Sequence, residues 1–273
     1  MNLVQNLWEN NLIEDYLPYN IKGLINKLNP SLKNENDIKK LTIFIIETLH
    51  KELNEIKISN KYILNFPSEN IDKCFQTYER YFQENFKSII SNLFAIKYNT
   101  QIECLICKHT TNKINFSYLL SFSLIDVALK RNNNNLTINN FFSYFQKSET
   151  TVNPCSYCKT KRLSYNNFNL LTGPKVLIIN IEREKNYKLN IKLNFDETLN
   201  LNDFIYYNNI NYNYQLIGVI TKINNKSFIA ICRSFKNNNW YKYNGSIVTK
   251  SSFREIKKSE IPYLLFYSLN END

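Results

Sequence analysis

The chain is 273 residues long, 43% hydrophobic and 14% aromatic, with a formal net charge of +10. That length buries a full core, that composition is globular rather than disordered, and nothing in it demands two domains. No apolar run reaches about 18 residues and no charged-then-apolar leader precedes ordered-looking sequence, so the reading excludes membrane insertion and secretion. It therefore expects an intracellular protein, cytoplasmic or nuclear. The Lys residues are spread along a chain generally rich in Asn, Ile, Lys and Tyr. The positive charge is thus read as compositional bias, and nucleic acid is not expected as a partner.

In chain order, the first third is helical. LVQNLWENNLIEDYL sets Leu3, Leu7 and Leu12, with Val4, Trp8 and Tyr16, at helix-like spacing behind a capping Asn2. The pattern predicts a longer helix over 37–55, capped by Asn36 or Asp37, with Ile38, Leu41, Ile45, Leu49 and Leu53 as its buried stripe. Residues 57–72 read as irregular around Pro67, and a third, short helix is expected over 86–94.

From Ala95 the period changes to two. Strands are predicted at 96–104 and 111–120, then a helical insert LTINNFFSYF, then the strand RLSYNNFNLL. RNNNN, residues 131–135, reads as a surface loop. After Gly173-Pro174, VLIINI is an unbroken apolar run suited to a central strand buried on both faces. Further strands are expected at 187–195, 214–221, 227–234, 239–244 and 262–267. Helices followed by an antiparallel sheet make an α+β chain, without internal repeats or a domain boundary.

The cysteines carry the first chemistry. Four of the six form two C-x-x-C pairs, Cys104/Cys107 and Cys155/Cys158. In an intracellular chain disulfides are the weaker explanation, and four thiolates match one tetrahedral Zn²⁺. The 47-residue separation exceeds that of a compact zinc finger, so each pair should tip its own hairpin, the fold bringing the hairpins together. A closed four-cysteine shell has no open position and should stabilise rather than catalyse. Cys74 reads as an incidental half-buried thiol. With only 4 Gly in the chain there is no Gly-rich phosphate loop.

Several features then fall into an ordered set. Ser88-Ile89-Ile90-Ser91-Asn92-Leu93-Phe94 resembles S-I-I-x-x-L-F, and Cys104-x-x-Cys107-Lys108-His109 resembles C-x-x-C-G-H with Lys in place of Gly. Residues 174–183 resemble P-x-I-L-I-I-H-L-K-R, with Asn180 and Glu182 as departures. The long helix is similar to Q-D-A-x-E-F ending in L-H-E-x-L-N, keeping Asp37 but carrying Lys40 where Glu is usual. The blocks 214–219, 240–243 and 263–267 match best. Together these resemble the ubiquitin-specific proteases, the papain-like deubiquitinases built of thumb, palm and fingers. The resemblance implies one domain over 1–273, with a helical thumb (1–94), zinc-ribbon fingers (95–172) and a β-rich palm (173–273).

It also implies a lost active site. Ser227 occupies the position of the family's general-base His, and Asn244 that of the acid which orients it. Anchoring on Gln5, Leu7, Asp15, Tyr16 and Leu17 puts the nucleophilic Cys upstream of Met1. Cys232, five residues past Ser227, has no base beside it. His50 reads as a structural residue of the long helix, and His109 as a hydrogen-bonding neighbour of the zinc. Phe141, Phe142, Tyr144 and Phe145 read as packing, and Glu47 and Glu52 as exposed helix charges. The expectation is a structural zinc and an inactive deubiquitinase-like scaffold that binds ubiquitin, a ubiquitin-like protein or another protein. Two alternatives stand beside it: an active deubiquitinating protease whose start lies further upstream, and a basic RNA-associated scaffold.

Overall fold

The computed structural model describes residues 23, 25, 27–32, 37–56, 65–66, 70–146, 149–183, 191–224, 227–259 and 261–270. The expected helix over residues 2–17 lies outside these. Helix α1 (Ile38–Leu53) starts where its cap dictates: the Asp37 carboxylate accepts the backbone N–H groups of Lys39 and Lys40 at 3.0 and 3.3 Å. The apolar stripe is not the one expected. Ile46 and His50 turn to the core, whereas Ile45, Leu49 and Leu53 are 38%, 40% and 49% exposed. The helix carries two overlapping apolar rows, and periodicity alone does not choose between them.

A helix absent from the sequence reading, α2 (Ile71–Asn85), follows an Asn70 cap. Cys74, Tyr78 and Phe82, four residues apart, form its buried edge, so Cys74 is fully buried. The Phe82 ring meets Phe86 at 5.2 Å and Phe116 at 5.0 Å, in a second core formed with Ile46, Ile178 and Leu264. Each such side chain contributes roughly 1.5–3 kcal/mol on burial. Helix α3 (Ile89–Phe94) opens with a capping box in which Ser88 and Ser91 serve each other's backbone N–H.

Two sheets follow. The five-stranded sheet has the order β1-β3-β2-β7-β6, with β1 (Asn65–Phe66), β2 (Ile96–Cys104), β3 (Thr110–Ser117), β6 (Glu149–Pro154) and β7 (Lys161–Thr172). The large sheet has the order β14-β13-β12-β11-β15-β8-β4, and β10 (Thr198–Asn200) pairs with β11. Its members are β4 (Leu120–Ser123), β8 (Val176–Glu182), β11 (Asn213–Asn224), β12 (Ser227–Arg233), β13 (Trp240–Asn244), β14 (Ile247–Ser251) and β15 (Pro262–Leu269). As expected from its apolar run, β8 is an interior strand, buried from Leu177 to Ile181, but it stands beside the edge strand β4 rather than at the centre of the sheet. A short parallel pair joins β5 (Asn135–Thr137) and β9 (Lys192–Asn194).

Between β4 and β6 the chain forms α4 (Leu124–Arg131) and α5 (Ile138–Phe145). Phe141 and Phe142 pack on Phe122 in the core of the large sheet, the packing role expected of these aromatics. The Asn run emerges as helix end plus loop: Asn132, at φ 50°, caps α4 in the left-handed region. The sequence reading missed α4, β14 and helix α6 (Phe253–Ser259), all three short. Among the described residues no helix is long and apolar enough to cross a membrane.

Candidate functional site

Both C-x-x-C pairs sit at hairpin tips, the first between β2 and β3, the second between β6 and β7. Because β2 and β7 are neighbours, with Cys104 opposite Ser164, the two tips lie side by side. The knuckles are built alike. The N–H of Cys104 donates to His109 O and that of Lys108 to Cys104 O; the N–H of Cys155 donates to Thr160 O and that of Lys159 to Cys155 O.

The four Sγ atoms lie within 4.8 Å of one another, with Cys107–Cys155 at 3.6 Å and Cys104–Cys158 at 3.9 Å. A tetrahedron with Zn–S bonds of ~2.3 Å has edges of about 3.8 Å, so the sulfurs fit Zn²⁺. The surroundings favour thiolate at two of them. The Thr160 hydroxyl, 3.0 Å from Cys158 Sγ, and the Thr160 N–H hold that thiol down to about 6. Backbone N–H groups of Cys107 and Ile106 lower Cys104. The His109 N–H also lowers Cys107, yet burial and the neighbouring sulfurs push it up to about 11. Four thiolates this close repel one another, and a bound dication is what lets all four ionise. His109 stacks on Tyr157 at 5.2 Å, across the two knuckles. Neither Thr160 nor Tyr157 was legible as a supporting residue, because neither belongs to a spacing pattern.

The second locus is the β12–β13 strand pair. Ser227 opens β12 opposite Asn224, and Asn244 closes β13 opposite Ile247, just before the Gly245 turn at φ 60°. Ile231 faces Lys242, so strand alternation sets Ser227, Ile229 and Ile231 on the same sheet face as Trp240, Lys242 and Asn244. Ser227 and Asn244 are both exposed, at the end of a face that Ile229, Ile231 and Trp240 anchor in the core. The Trp240 indole N–H donates to Glu197 Oε1 at 3.2 Å.

Cys232 lies on the opposite face, beside Tyr241 and Gly218, and burial of its sulfur pushes the thiol above its ordinary value. Neither histidine of the sequence is near the pair. His50 is buried, its Nδ1 2.7 Å from Ser88 Oγ and its ring stacked on Phe86 at 5.8 Å. His109 belongs to the cysteine centre.

The family model described as ubiquitin carboxyl-terminal hydrolase matches residues 1–267. The chain belongs to that family. Ubiquitin carboxyl-terminal hydrolase 2 of Rattus norvegicus is 24% identical over 286 residues, covering 98% of this chain and 45% of the relative. Usp2 of Drosophila melanogaster is 23% identical over 277 residues, covering 97% of this chain and 29% of its own length. The chain thus spans less than half the length of these relatives.

Among solved structures, the yeast SAGA DUB module carrying Ubp8, Sgf11, Sus1 and Sgf73 is similar. Its form bound to ubiquitin aldehyde aligns with TM-score 0.65 at 21% identity, over 93% of this chain and 54% of the matched one. A form bound to monoubiquitin aligns with TM-score 0.66 at 22% identity, over 93% and 53%. At such identities the likeness shows the ubiquitin carboxyl-terminal hydrolase fold. Two departures from the family pattern have found local partners here. Asn180 donates to Ser121 Oγ at 3.2 Å, and Glu182 pairs with Lys39 at 2.6 Å.

Proposed function

We propose that this ubiquitin carboxyl-terminal hydrolase domain binds ubiquitin or a ubiquitin-like protein without cleaving it. What carries this reading is the motif resemblance that sets Ser227 in place of the general-base His, together with the strand register that puts Ser227 on one sheet face with Asn244. A hydroxyl is not basic enough at neutral pH to take a proton from a thiol. An Asn positioned to orient an imidazole has none to orient, since the two histidines of the sequence are committed elsewhere. Removing the base of a hydrolytic triad costs on the order of 10⁶ in kcat. Cys232 offers no replacement nucleophile, because it points away from Ser227 and its thiol is held protonated.

The binding half of the proposal rests on the family and on the fold shared with ubiquitin-bound modules. Ubiquitin would be gripped between the large sheet and the cysteine-tipped sheet, with the zinc as a structural element. The test has two parts: calorimetric titration of the zinc-loaded protein with mono-ubiquitin, and turnover of a fluorogenic ubiquitin substrate. Saturable micromolar binding with no turnover supports the reading. Turnover that survives Ser227→Ala overturns the loss of catalysis, and absence of heat at high ubiquitin concentration overturns ubiquitin as the partner.

A further inference from the structure

The net charge is not evenly distributed once it is followed along the large sheet. Residues 222–260 hold nine of the 34 basic residues and two of the 24 acidic ones. One of those two, Glu255, accepts the N–H of Ser252 at the start of α6. The segment comprises β12, β13, β14 and α6, and of its basic residues the register sets Lys222 and Lys250 on the sheet face opposite the one that Ile229, Ile231 and Trp240 anchor in the core.

The register fixes what that face presents. Lys250, Tyr241, Cys232 and Gly218 make one row across four strands. Val248, Tyr243, Ala230 and Ile220 make the next, and Phe228 stands beside Lys222 in a third. Cys232, Gly218 and Ala230 are small, so they floor a shallow trough. On one side stand Tyr241 and Tyr243, one strand repeat or about 6.8 Å apart. On the other are the Phe228 and Tyr263 rings, 5.7 Å apart, with Lys222 Nζ 5.7 and 5.6 Å from their centroids. Tyr243 is 43% exposed, and Phe235, at the adjoining turn, 84%. No carboxylate falls in these rows.

We propose that this face binds a single-stranded nucleic acid. Flat aromatic rings on a β-sheet stack unpaired bases whatever their identity, and lysines beside them neutralise the phosphates. An acidic protein segment would be satisfied by the amines but would leave the rings unused. A duplex would keep its bases away from them. The rows involve neither Ser227 nor Asn244, which lie on the other face, so the proposal stands apart from ubiquitin binding.

The test uses the full zinc-loaded chain and a fluorescein-labelled 15-nucleotide oligo-uridine, read by anisotropy between 50 and 200 mM salt. Saturable binding is expected that falls with salt. Lys222→Gln with Lys250→Gln should lower the slope of log affinity against log salt by about 1.4. Tyr241→Leu with Tyr243→Leu should weaken binding at least tenfold while leaving that slope unchanged. Thermal melts confirm that each variant is folded, and single-site versions replace any double variant that is not. Absence of binding at 50 mM salt, or insensitivity to the Tyr changes, overturns the proposal. Equal competition by poly-glutamate or by a duplex of the same length also overturns it, assigning the face to acidic partners in general.

Discussion

Lys108 and Lys159 occupy the same left-handed position after their cysteine pairs, at φ 59° and 57°. In each knuckle the lysine N–H closes the turn onto the first cysteine's carbonyl, at 2.9 and 3.1 Å. Glycine adopts this conformation without strain, whereas a side chain costs of order 1–3 kcal/mol there. Lys108 recovers little of this, because its contact with Glu103 is 3.7 Å long and exposed. Lys108→Gly should therefore raise stability by about 0.5–1 kcal/mol, glycine's own entropy offsetting part of the relief. A thermal melt of the zinc-loaded variant that shows no rise would mean the lysine side chain contributes more than its geometry suggests.

Metal removal should loosen one sheet and spare the other. The five-stranded sheet ends at the cysteine centre, while the apolar cores hold the large sheet and only the base of the five-stranded one. After chelation, amide exchange is expected to accelerate in β6 and in the cysteine-proximal halves of β2, β3 and β7, with β8, β11 and β15 still protected. The same experiment should release one equivalent of Zn²⁺ per chain, and Cys104→Ser should abolish that release. Uniform acceleration across both sheets would contradict the separation.

His50 makes the fold sensitive to mild acid. Burial lowers its pKa, with Lys51 adding to the effect and Glu47 opposing it. The unfolded chain takes up the proton at the ordinary value near 6.5, the folded chain only at lower pH. The stability from keeping His50 neutral is thus complete above about pH 6.5 and declines as pH falls below it, until the folded value is passed. Urea midpoints measured from pH 8 to 5 should show this decline, and His50→Gln should flatten it. An identical slope in the variant would locate the effect in another group.

Cys232 should alkylate slowly despite its exposure. Its thiol lies above the ordinary value because the sulfur is crowded, so little thiolate exists at neutral pH. Iodoacetamide labelling of this residue is expected to lag behind a free thiol at pH 7 and to be still rising at pH 9. A fast, pH-independent reaction at pH 7 would identify an activated nucleophile.

Much of this architecture was legible because its signals are local or strictly spaced. The Asp37 cap, the short helix near 86–94, the VLIINI run and the two C-x-x-C pairs each bring their own physics, and each appears close to where it was expected. What was missed depends on tertiary contact. Helix α2 is polar over most of its surface, and its edge of Cys74, Tyr78 and Phe82 gains meaning only from the aromatic cluster against it. The stripe on α1 was misassigned for the same reason. The aromatic face of β12–β14 was hidden because Tyr241, Cys232 and Gly218 become row neighbours of Lys250 only through strand register.

The parallel pairing of β4 with β8 bears on the order in which the molecule assembles. Ser121 meets Asn180 across 59 residues of chain, a contact whose loop-closure entropy has to be met before it stabilises anything. The β2–β7 ladder offers a route around that obstacle. It runs from Cys104 and Ser164 at the metal end to Lys97 and Thr172 at the other, and β8 begins a short turn beyond Thr172. Joining the two knuckles early would let this ladder zip toward its base and set β8 down beside β4. Zinc would then act in kinetics as well as in stability, as the clasp from which β8 is delivered to its place.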